Sequence, residues 1–447
     1  MISTWLKDSK KGNYPKLSGK STCDVVIVGG GISGISLALE LAKSGNLKIM
    51  LLEQNELYHG VTGFTTGKVT VQHGYKYQDL IKTYGKDCAR LYYEANLKAI
   101  TIIEQNISEY QIDCNYHKCS HSLCEKKETV KLKKEKEAYQ ILGIPFKEES
   151  KENYFALTME GQAVFHIVKY LDGLLKKLKQ FKNVEIYEHS KVIKEINSGK
   201  VTQILGEEFS VSTKKVVYTS FYPQYGKFNL AFLHLKPVLS FVCDLDTKKH
   251  ISNSFIYAEN PIFSCRPLNK NNMLFAGFSV AASKNPSYLN SINSLKSKAN
   301  DFFEVKHINE CWVNEDYDSL DYLPLIGQLK NNCYIMAGFN KWGITTSVIG
   351  AKIISDLIVN CFSEYEDLYN PRRTKCLLKK VLYSLHNPVT LVLSFFKVKK
   401  IKTCSHMHCA LRKNDIDNTL DCPCHGSKFD SNGKVIIGPA RNDIKRN

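Results

Sequence analysis

Cysteine and histidine are concentrated near the end of this 447-residue chain, in the stretch CSHMHCALRKNDIDNTLDCPCHGSKF. Cys404 and His406 form a C-x-H pair, and Cys422 and His425 form a C-x-x-H pair after fifteen intervening residues. Thiolate and imidazole are ligands of tetrahedral zinc, so a zinc site with two of each is one interpretation. The pairs also suit a cluster of two irons, because each loop can offer a thiolate to one iron and an imidazole to the other.

The remaining cysteines and the apolar segments bear on the compartment. Most of the 15 cysteines are scattered singly through apolar segments. The first residues lack the apolar stretch of a secretory signal, and no segment approaches the length of a membrane span. We therefore expect a cytoplasmic protein without a transmembrane segment, in which the scattered thiols are reduced.

The net charge is +17, from 61 basic and 44 acidic residues. Most lysines lie in stretches of mixed sign such as residues 125–139, which is typical of a solvated helix surface. Only residues 372–402 have a one-sided excess, with nine Lys or Arg and no Asp or Glu. We expect no nucleic-acid partner, and this segment would better suit an acidic protein or an anionic lipid.

A glycine fingerprint lies near the start of the chain. The apolar run at 25–28 predicts a buried parallel strand, and Gly29, Gly31 and Gly34 follow it as G-x-G-x-x-G. A helix pattern comes next, and a second predicted strand ends at Glu53. The glycines allow a tight turn and close approach of the backbone to a pyrophosphate, and the acid can bind a ribose diol. The order of these parts predicts a dinucleotide site, without distinguishing NAD from FAD.

Two further segments have the character of cofactor-binding turns. Residues 60–74 are rich in glycine and threonine, too irregular for a helix and too polar for a core strand. Residues 321–358 are predicted to form a loop, a strand, a glycine-rich turn and a helix. The helix would begin near Gly343, and its free N–H groups would point at a ligand.

These motifs resemble the D-amino-acid-oxidase-like (DAO) superfamily of FAD-dependent oxidoreductases, which includes glycine oxidase, over roughly residues 22–360. The matching pieces are the fingerprint with its acid, TGFTTGK, KVVYTS and the distant PLIG…MAGFNKWGITTS. The resemblance implies FAD in an extended pose, with Val192 beside the adenine through its backbone. The residues implied for the ADP half are Gly29, Gly31, Gly34 and Glu53. Those implied for the flavin side are Thr62, Thr65, Thr66, Lys68, Gly338, Lys341, Trp342 and Gly343.

The C-terminal stretch resembles Rieske ferredoxin-type domains, which hold a [2Fe–2S] cluster with two cysteines on one iron and two histidines on the other. The ligands that this resemblance implies are Cys404, His406, Cys422 and His425. It also implies a disulfide between Cys409 and Cys424, and GKVIIGPA at 433–440 is similar to the closing strand and proline loop. Only 32 residues separate Pro371 from the first ligand. We therefore expect a domain with a shortened base.

The predicted fold class is an α/β FAD-binding Rossmann-like domain with an inserted α+β substrate domain, plus a small, shortened C-terminal all-β Rieske-type domain. The predicted segments are 1–84 and 321–360 for FAD binding, 85–320 for the substrate domain with about 184–220 returning to the FAD domain, 361–402 as a basic linker, and 403–447 for the cluster. Periodicity predicts helices over 86–109, 126–142 and 162–181. VEIYE, VLSFVCDL and NMLFAGFS are predicted strands.

Two cofactors in one chain predict an oxidoreductase that takes a hydride from a small amine, amino acid or related donor. A reduced flavin holds two electrons and a [2Fe–2S] cluster accepts one at a time, so the electrons would leave singly to a protein redox partner. One alternative is a non-enzymatic electron-transfer or redox-sensing flavo-iron–sulfur protein. Another is a plain flavin oxidase with a degenerate cluster domain.

The sequence identifies no catalytic base. Tyr317, beside the NEDYDSLDY loop, and Lys341 are candidates for polar groups that face the flavin ring. His166 lies among apolar residues, where a packing role is favoured over a catalytic one. Phe221 follows VVYTS, where the DAO resemblance leads us to expect a histidine, so we expect a polar substrate contact to be missing there.

Overall fold

The structure is a computed structural model that describes residues 2–7, 9, 13–151, 154–223, 234–282, 287–376, 402–414 and 418–444. Its α-helices are α1 (Thr4–Lys7), α2 (Ile32–Ala42), α3 (Lys76–Tyr84), α4 (Lys86–Glu109), α5 (Val130–Leu142), α6 (Ile167–Leu178), α7 (Tyr288–Phe302), α8 (Gly343–Val359) and α9 (Glu366–Tyr369). A short 3₁₀ helix covers Val61–Phe64.

The strands divide the chain into three sheets. The first half of the chain contributes β1 (Gly19–Val28), β2 (Ile49–Leu52), β3 (Lys68–Val69), β4 (His117–Glu125), β5 (Lys147–Lys151), β6 (Tyr154–Val164), β7 (Val184–Tyr187), β8 (Lys194–Asn197), β9 (Thr202–Leu205) and β10 (Phe209–Tyr218). The second half contributes β11 (Leu235–Thr247), β12 (Ser254–Tyr257), β13 (Phe263–Pro267), β14 (Asn272–Ala281), β15 (Val305–Ser319), β16 (Leu325–Lys330), β17 (Cys333–Ala337), β18 (Arg412–Asn414), β19 (Thr419–Asp421), β20 (Lys428–Phe429) and β21 (Val435–Ile437).

The first sheet has the order β16-β17-β10-β1-β2-β7, with β9 on β10 and β8 on β9. β1 pairs in parallel with both β10 and β2, so both its edges are covered. Its run Val25–Ile27 is fully buried, as is typical of a parallel strand inside a sheet. The hydroxyls of Ser33 on α2 and Ser347 on α8 lie 2.8 Å apart, so the two glycine-rich helix starts are held side by side. Segments from three distant parts of the chain thus build one Rossmann-like layer.

The second sheet has the order β15-β11-β14-β13-β12-β4-β6-β3, with β5 on β6. Its neighbours are antiparallel except for β12 and β4. The rings of Phe263 and Phe275 stack with centroids 4.9 Å apart, and Leu295 of α7 belongs to the same buried cluster. β3 belongs to the second sheet and follows closely on the 3₁₀ helix at Val61–Phe64. The glycine- and threonine-rich segment at 60–74 therefore joins the first sheet to the second.

The third sheet, β18-β19-β20-β21, is antiparallel and small. Its buried cluster is Cys404, Cys409, Leu411, Cys422, Cys424, Phe429, Val435 and Ala440. Half of these residues are cysteines, so apolar packing supplies only part of what holds the domain together. Most of the predicted basic linker falls outside the described residues.

The predicted fold class is confirmed, and the predicted middle helices are correct in part. α4 covers the predicted 86–109, whereas α5 begins at Val130 because the Thr129 hydroxyl caps it, accepting from the Leu132 amide at 3.2 Å. The prediction of a helix over 162–181 was wrong at its start. Residues up to Val164 continue β6, which pairs with β3 and β4, and α6 starts only after the cap at His166.

Candidate functional site

The glycine fingerprint forms a cradle at the start of α2. Gly29 has φ of 116°, in the region that favours glycine, and a Cβ on Gly31 would lie 2.8 Å from the Thr62 hydroxyl oxygen. A Cβ on Gly34 would lie 1.9 Å from the Gly29 carbonyl oxygen, so only glycine lets the turn and the helix pack together. This leaves the helix start accessible to a pyrophosphate, as the fingerprint requires.

Glu53 lies at the end of β2, beside the cradle. Its carboxylate accepts from the Gly30 and Asn55 amides, both at 2.8 Å, and burial raises its pKa. Two backbone donors fix the side chain while a carboxylate has further acceptor positions for hydroxyl groups. Ser190 and Val192 line the same end of the cavity. The arrangement therefore fits the adenosine half of a dinucleotide.

A cavity of about 620 Å³ extends from Glu53 past the cradle to the start of α8. The sequence-predicted residues that line it are Gly29, Gly31, Glu53, Thr62, Thr65, Val192, Gly338, Lys341 and Gly343. Gly34 lies beneath the cradle in the helix packing. The cavity thus brings both predicted ends of the cofactor site together, and its lining fits FAD in an extended pose.

A smaller pocket of about 20 Å³ adjoins it and contains the other predicted flavin-side residues. It is lined by Thr65, Thr66, Lys68, Thr70, His73, Lys341, Trp342, Ile344 and Thr345. Lys68 is 8% exposed, and burial lowers its pKa to about 8. Lysine side chains with depressed pKa values are typical of catalytic sites, and Lys68 can exchange a proton near neutral pH.

Sequence reasoning missed two side chains that shape this pocket. His73 stacks on Trp342 with ring centroids 4.5 Å apart, and burial lowers its pKa to about 3, so it is neutral. Arg266 is buried and donates to the carbonyls of Thr66, Gly67 and Phe165 at 2.9–3.2 Å, which fixes the loop before β3. Burial of an arginine among carbonyls gives no signal in a single sequence.

The two C-terminal loops bring their cysteines and histidines together. The thiols of Cys404 and Cys422 are buried, and the neighbouring Cys422 thiol lowers the pKa of Cys404 to about 7. The rings of His406 and His425 have centroids 5.2 Å apart and are almost perpendicular. Burial lowers the pKa of His425 to about 3, so its imidazole is in the neutral form that ligates metals. Two adjacent thiols and two adjacent imidazoles fit the donor set of a Rieske cluster.

The structure pairs Cys409 with Cys424 in a disulfide, with Cα atoms 6.7 Å apart. The sulfur atoms of Cys409, Cys422 and Cys424 lie within 4.8 Å of one another, which alone would resemble a metal site. Because two of the three are bonded to each other, only Cys422 has a thiol to offer as a ligand. The bond links the two ligand loops directly.

The C-terminal domain packs against β15 and closes part of the large cavity. Thr419, Lys428 and residues 436–438 line the cavity together with the glycine cradle. The Nζ of Lys428 lies 3.3 Å from a carboxylate oxygen of Glu315, and the Tyr288 hydroxyl donates to Asp421 at 2.9 Å. The C-terminal domain and the glycine cradle are therefore neighbours in space, although they are far apart in sequence.

The candidates for polar catalytic groups have different positions. Lys341 lines both cavities, and its backbone amide donates to the Asp316 carboxylate at 2.8 Å. Tyr317 is not among the lining residues, since its hydroxyl donates to the His425 carbonyl.

His166 accepts from the Lys169 amide at 3.3 Å as the cap of α6 and packs edge-on against Trp5. Phe221 lines the large cavity, as an apolar side chain.

This fold and these two sets of binding groups define an FAD-dependent oxidoreductase with a Rieske iron–sulfur domain. The chain belongs to the FAD dependent oxidoreductase (DAO) family, whose model matches residues 24–357, and residues 400–446 match the Rieske [2Fe-2S] domain. Both family resemblances predicted from the sequence are confirmed, and with them FAD and [2Fe–2S] as the cofactors.

Several known proteins are similar to this chain. A Bacillus subtilis protein named as a Rieske 2Fe-2S iron-sulfur protein (YhfW) is 29% identical, covering 99% of this chain and 96% of its own. The gamma-glutamylputrescine oxidoreductase of Escherichia coli is 24% identical, over 78% of this chain and 87% of its own. Glycine oxidase from Geobacillus kaustophilus shares the fold, with a TM-score of 0.66 and 15% identity over 79% of this chain and 99% of its own.

Within the ranges that the structure describes, no helix has the length and apolar character needed to cross a membrane.

Proposed function

We propose that this oxidoreductase dehydrogenates a small amine, amino acid or related donor, and that the electrons leave through the C-terminal domain to a separate redox protein. The observation that carries the proposal is the shared cavity, since Lys428 and residues 436–438 of the C-terminal domain line it together with the glycine cradle. When bound, FAD supplies a two-electron acceptor and the Rieske cluster a one-electron carrier. Because the C-terminal domain forms part of the cavity wall, the proposed path from the flavin to the cluster is short.

The small pocket has room for about one water molecule, so a donor would bind in the adjoining large cavity with the polar lining of the pocket beside it. Thr65, Thr66 and Thr345 are among the lining residues, and the neutral His73 adds a ring without adding charge. Lys68 holds a proton below about pH 8 and releases it above, so this side chain can bind an anionic group or exchange a proton near neutral pH. The name of the Escherichia coli relative refers to an amine-bearing compound, which favours an amine or amino-acid donor.

The proposed exit to a partner protein lies on the other ligand loop. His406 is partly exposed and His408 beside it is exposed, whereas His425 is buried against the substrate domain. Lys402 and Arg441 are also exposed near this loop. A surface of this kind favours an acidic redox partner.

The test is anaerobic mixing of the purified protein with a panel of amines and amino acids, followed by flavin absorbance. We expect at least one compound to bleach the flavin, and turnover to be faster with a one-electron acceptor such as ferricyanide than with oxygen. A Cys422→Ser variant should still be bleached by the donor but lose the advantage of ferricyanide. Bleaching by no member of the panel would favour the electron-transfer or redox-sensing alternative.

A further inference from the structure

One tyrosine connects the wall of the flavin cavity to a cluster ligand. The Tyr317 hydroxyl donates to the His425 carbonyl oxygen at 2.6 Å, across 108 residues of sequence. The Tyr317 ring is 1% exposed and packs against Phe221 and Tyr222, with centroids 4.7 Å and 5.6 Å away. Phe221 and Tyr222 both line the large cavity. The same side chain therefore touches the cavity wall and holds the histidine loop.

Gly426, the residue after His425, packs closely against β15. Gly426 has φ of 77°, and a Cβ there would lie 2.7 Å from the Tyr317 hydroxyl oxygen and 2.8 Å from a Glu315 carboxylate oxygen. It would also lie 3.2 Å from the Cβ of Pro237 on β11. Only glycine allows the loop this conformation and this approach. The close contact is thus formed by the backbone of the ligand loop itself.

The two histidines of the cluster loops have different surroundings. His425 is 2% exposed and lies on the side of β15 and the cavity, whereas His406 is partly exposed. Other contacts that hold the domain, such as Tyr288 to Asp421 and Lys428 to Glu315, involve side chains outside the Cys422–His425 loop. The Tyr317 hydrogen bond, by contrast, joins β15 to the backbone of a proposed ligand.

We propose that Tyr317 is a positioning residue that fixes His425 toward the flavin cavity, so that electrons enter the cluster on the His425 side. This inference rests on the proposed function, because it assumes that electrons pass from the flavin to the cluster. Electron transfer weakens steeply as the separation of two cofactors increases. Loosening of this loop therefore lowers the transfer rate, while a hydrogen bond near the ligand also tunes the potential of the cluster.

The test is Tyr317→Phe, which removes one hydroxyl and keeps the ring. In the holoenzyme, backbone amides of residues 422–429 should exchange with deuterium roughly tenfold faster, since one buried hydrogen bond is lost. After laser-flash reduction with deazaflavin, electron transfer from flavin to cluster should slow by a similar factor of about ten. Flavin and iron contents should equal those of the wild type.

Tyr288→Phe is the matched control, because it removes a hydroxyl that bonds to the Asp421 side chain, just before the loop, and not to the backbone of the loop itself. We expect it to change neither rate by more than about twofold. Unchanged exchange and transfer in Tyr317→Phe would overturn the proposal, as would a variant that loses its iron, which would assign Tyr317 to cluster retention. If the wild type itself shows no transfer, the proposed function fails, while the exchange measurement still reports whether Tyr317 holds the loop.

Discussion

Lys428 of the C-terminal domain and Glu315 of the substrate domain form a buried ion pair, with Nζ and Oε2 3.3 Å apart. Their side chains are 13% and 8% exposed, and both residues line the large cavity. Burial raises the pKa of Glu315 to about 7, and the lysine opposes this shift. The pair therefore joins two domains at a point where removal of one partner leaves the other charge buried.

Replacement of that lysine should destabilise the protein. We expect Lys428→Met to lower the free energy of unfolding by about 2 kcal/mol, because Glu315 loses its nearest cation. The double variant Lys428→Met/Glu315→Gln should regain most of this loss, since the Glu315 charge is then removed and Asp421, 3.8 Å from the lysine, keeps its hydrogen bonds from Tyr288 and Asn414. Urea denaturation of the wild type, the double variant and the two single variants, Lys428→Met and Glu315→Gln, measures the cycle. Equal stability of the wild type and the single variant would show that the pair does not hold the domains together.

Glu53 should determine how tightly the flavin binds. Glu53→Ala removes a buried acceptor of the proposed ribose contact, and we expect FAD affinity to fall about 10- to 100-fold. Glu56→Ala is the control, because Glu56 lies three residues away and pairs with His59 at 3.2 Å. Fluorescence titration of the apoprotein with FAD gives both affinities. Equal losses in the two variants would contradict the role given to Glu53.

The proposed ligands should control iron content independently of flavin. Cys422→Ser removes a thiolate that a serine hydroxyl replaces poorly, so iron and acid-labile sulfide should be lost while FAD is retained. Cys361→Ser changes an exposed thiol and should alter neither. Metal analysis and flavin absorbance of the same samples show whether iron is lost while FAD is retained. Full iron content in Cys422→Ser would exclude this residue as a ligand.

Lys68 should weaken the apoprotein at neutral pH. Its pKa in the fold is about 8 against an ordinary 10.5, so the unfolded chain binds more protons between these values and stability rises with pH there. Below pH 8 the buried charge costs about 3 kcal/mol, which Lys68→Met should recover at pH 7. The gain should shrink toward pH 10.5. The exposed Lys200→Met should change stability by less than about 0.5 kcal/mol at either pH.

The local parts of this fold could be predicted from the sequence, and the contacts between distant segments could not. Gly29, Gly31 and Glu53 follow a fixed order over a short range, as do the four residues of the cluster loops. By contrast, Tyr317 was predicted to face the flavin ring, and the structure bonds it to His425. No periodicity links residues so far apart, and neither a buried Arg266 nor a stacked His73 leaves a pattern in one chain.

The proposed electron transfer runs from FAD to the Rieske cluster within one chain. The most direct test is an EPR and optical spectrum of the purified protein before and after anaerobic addition of a donor that bleaches the flavin. We predict one FAD and two irons per chain, and a cluster EPR signal that appears as the flavin bleaches. A flavin that bleaches while the iron cluster stays oxidised, or a protein without iron, would show that this transfer does not occur.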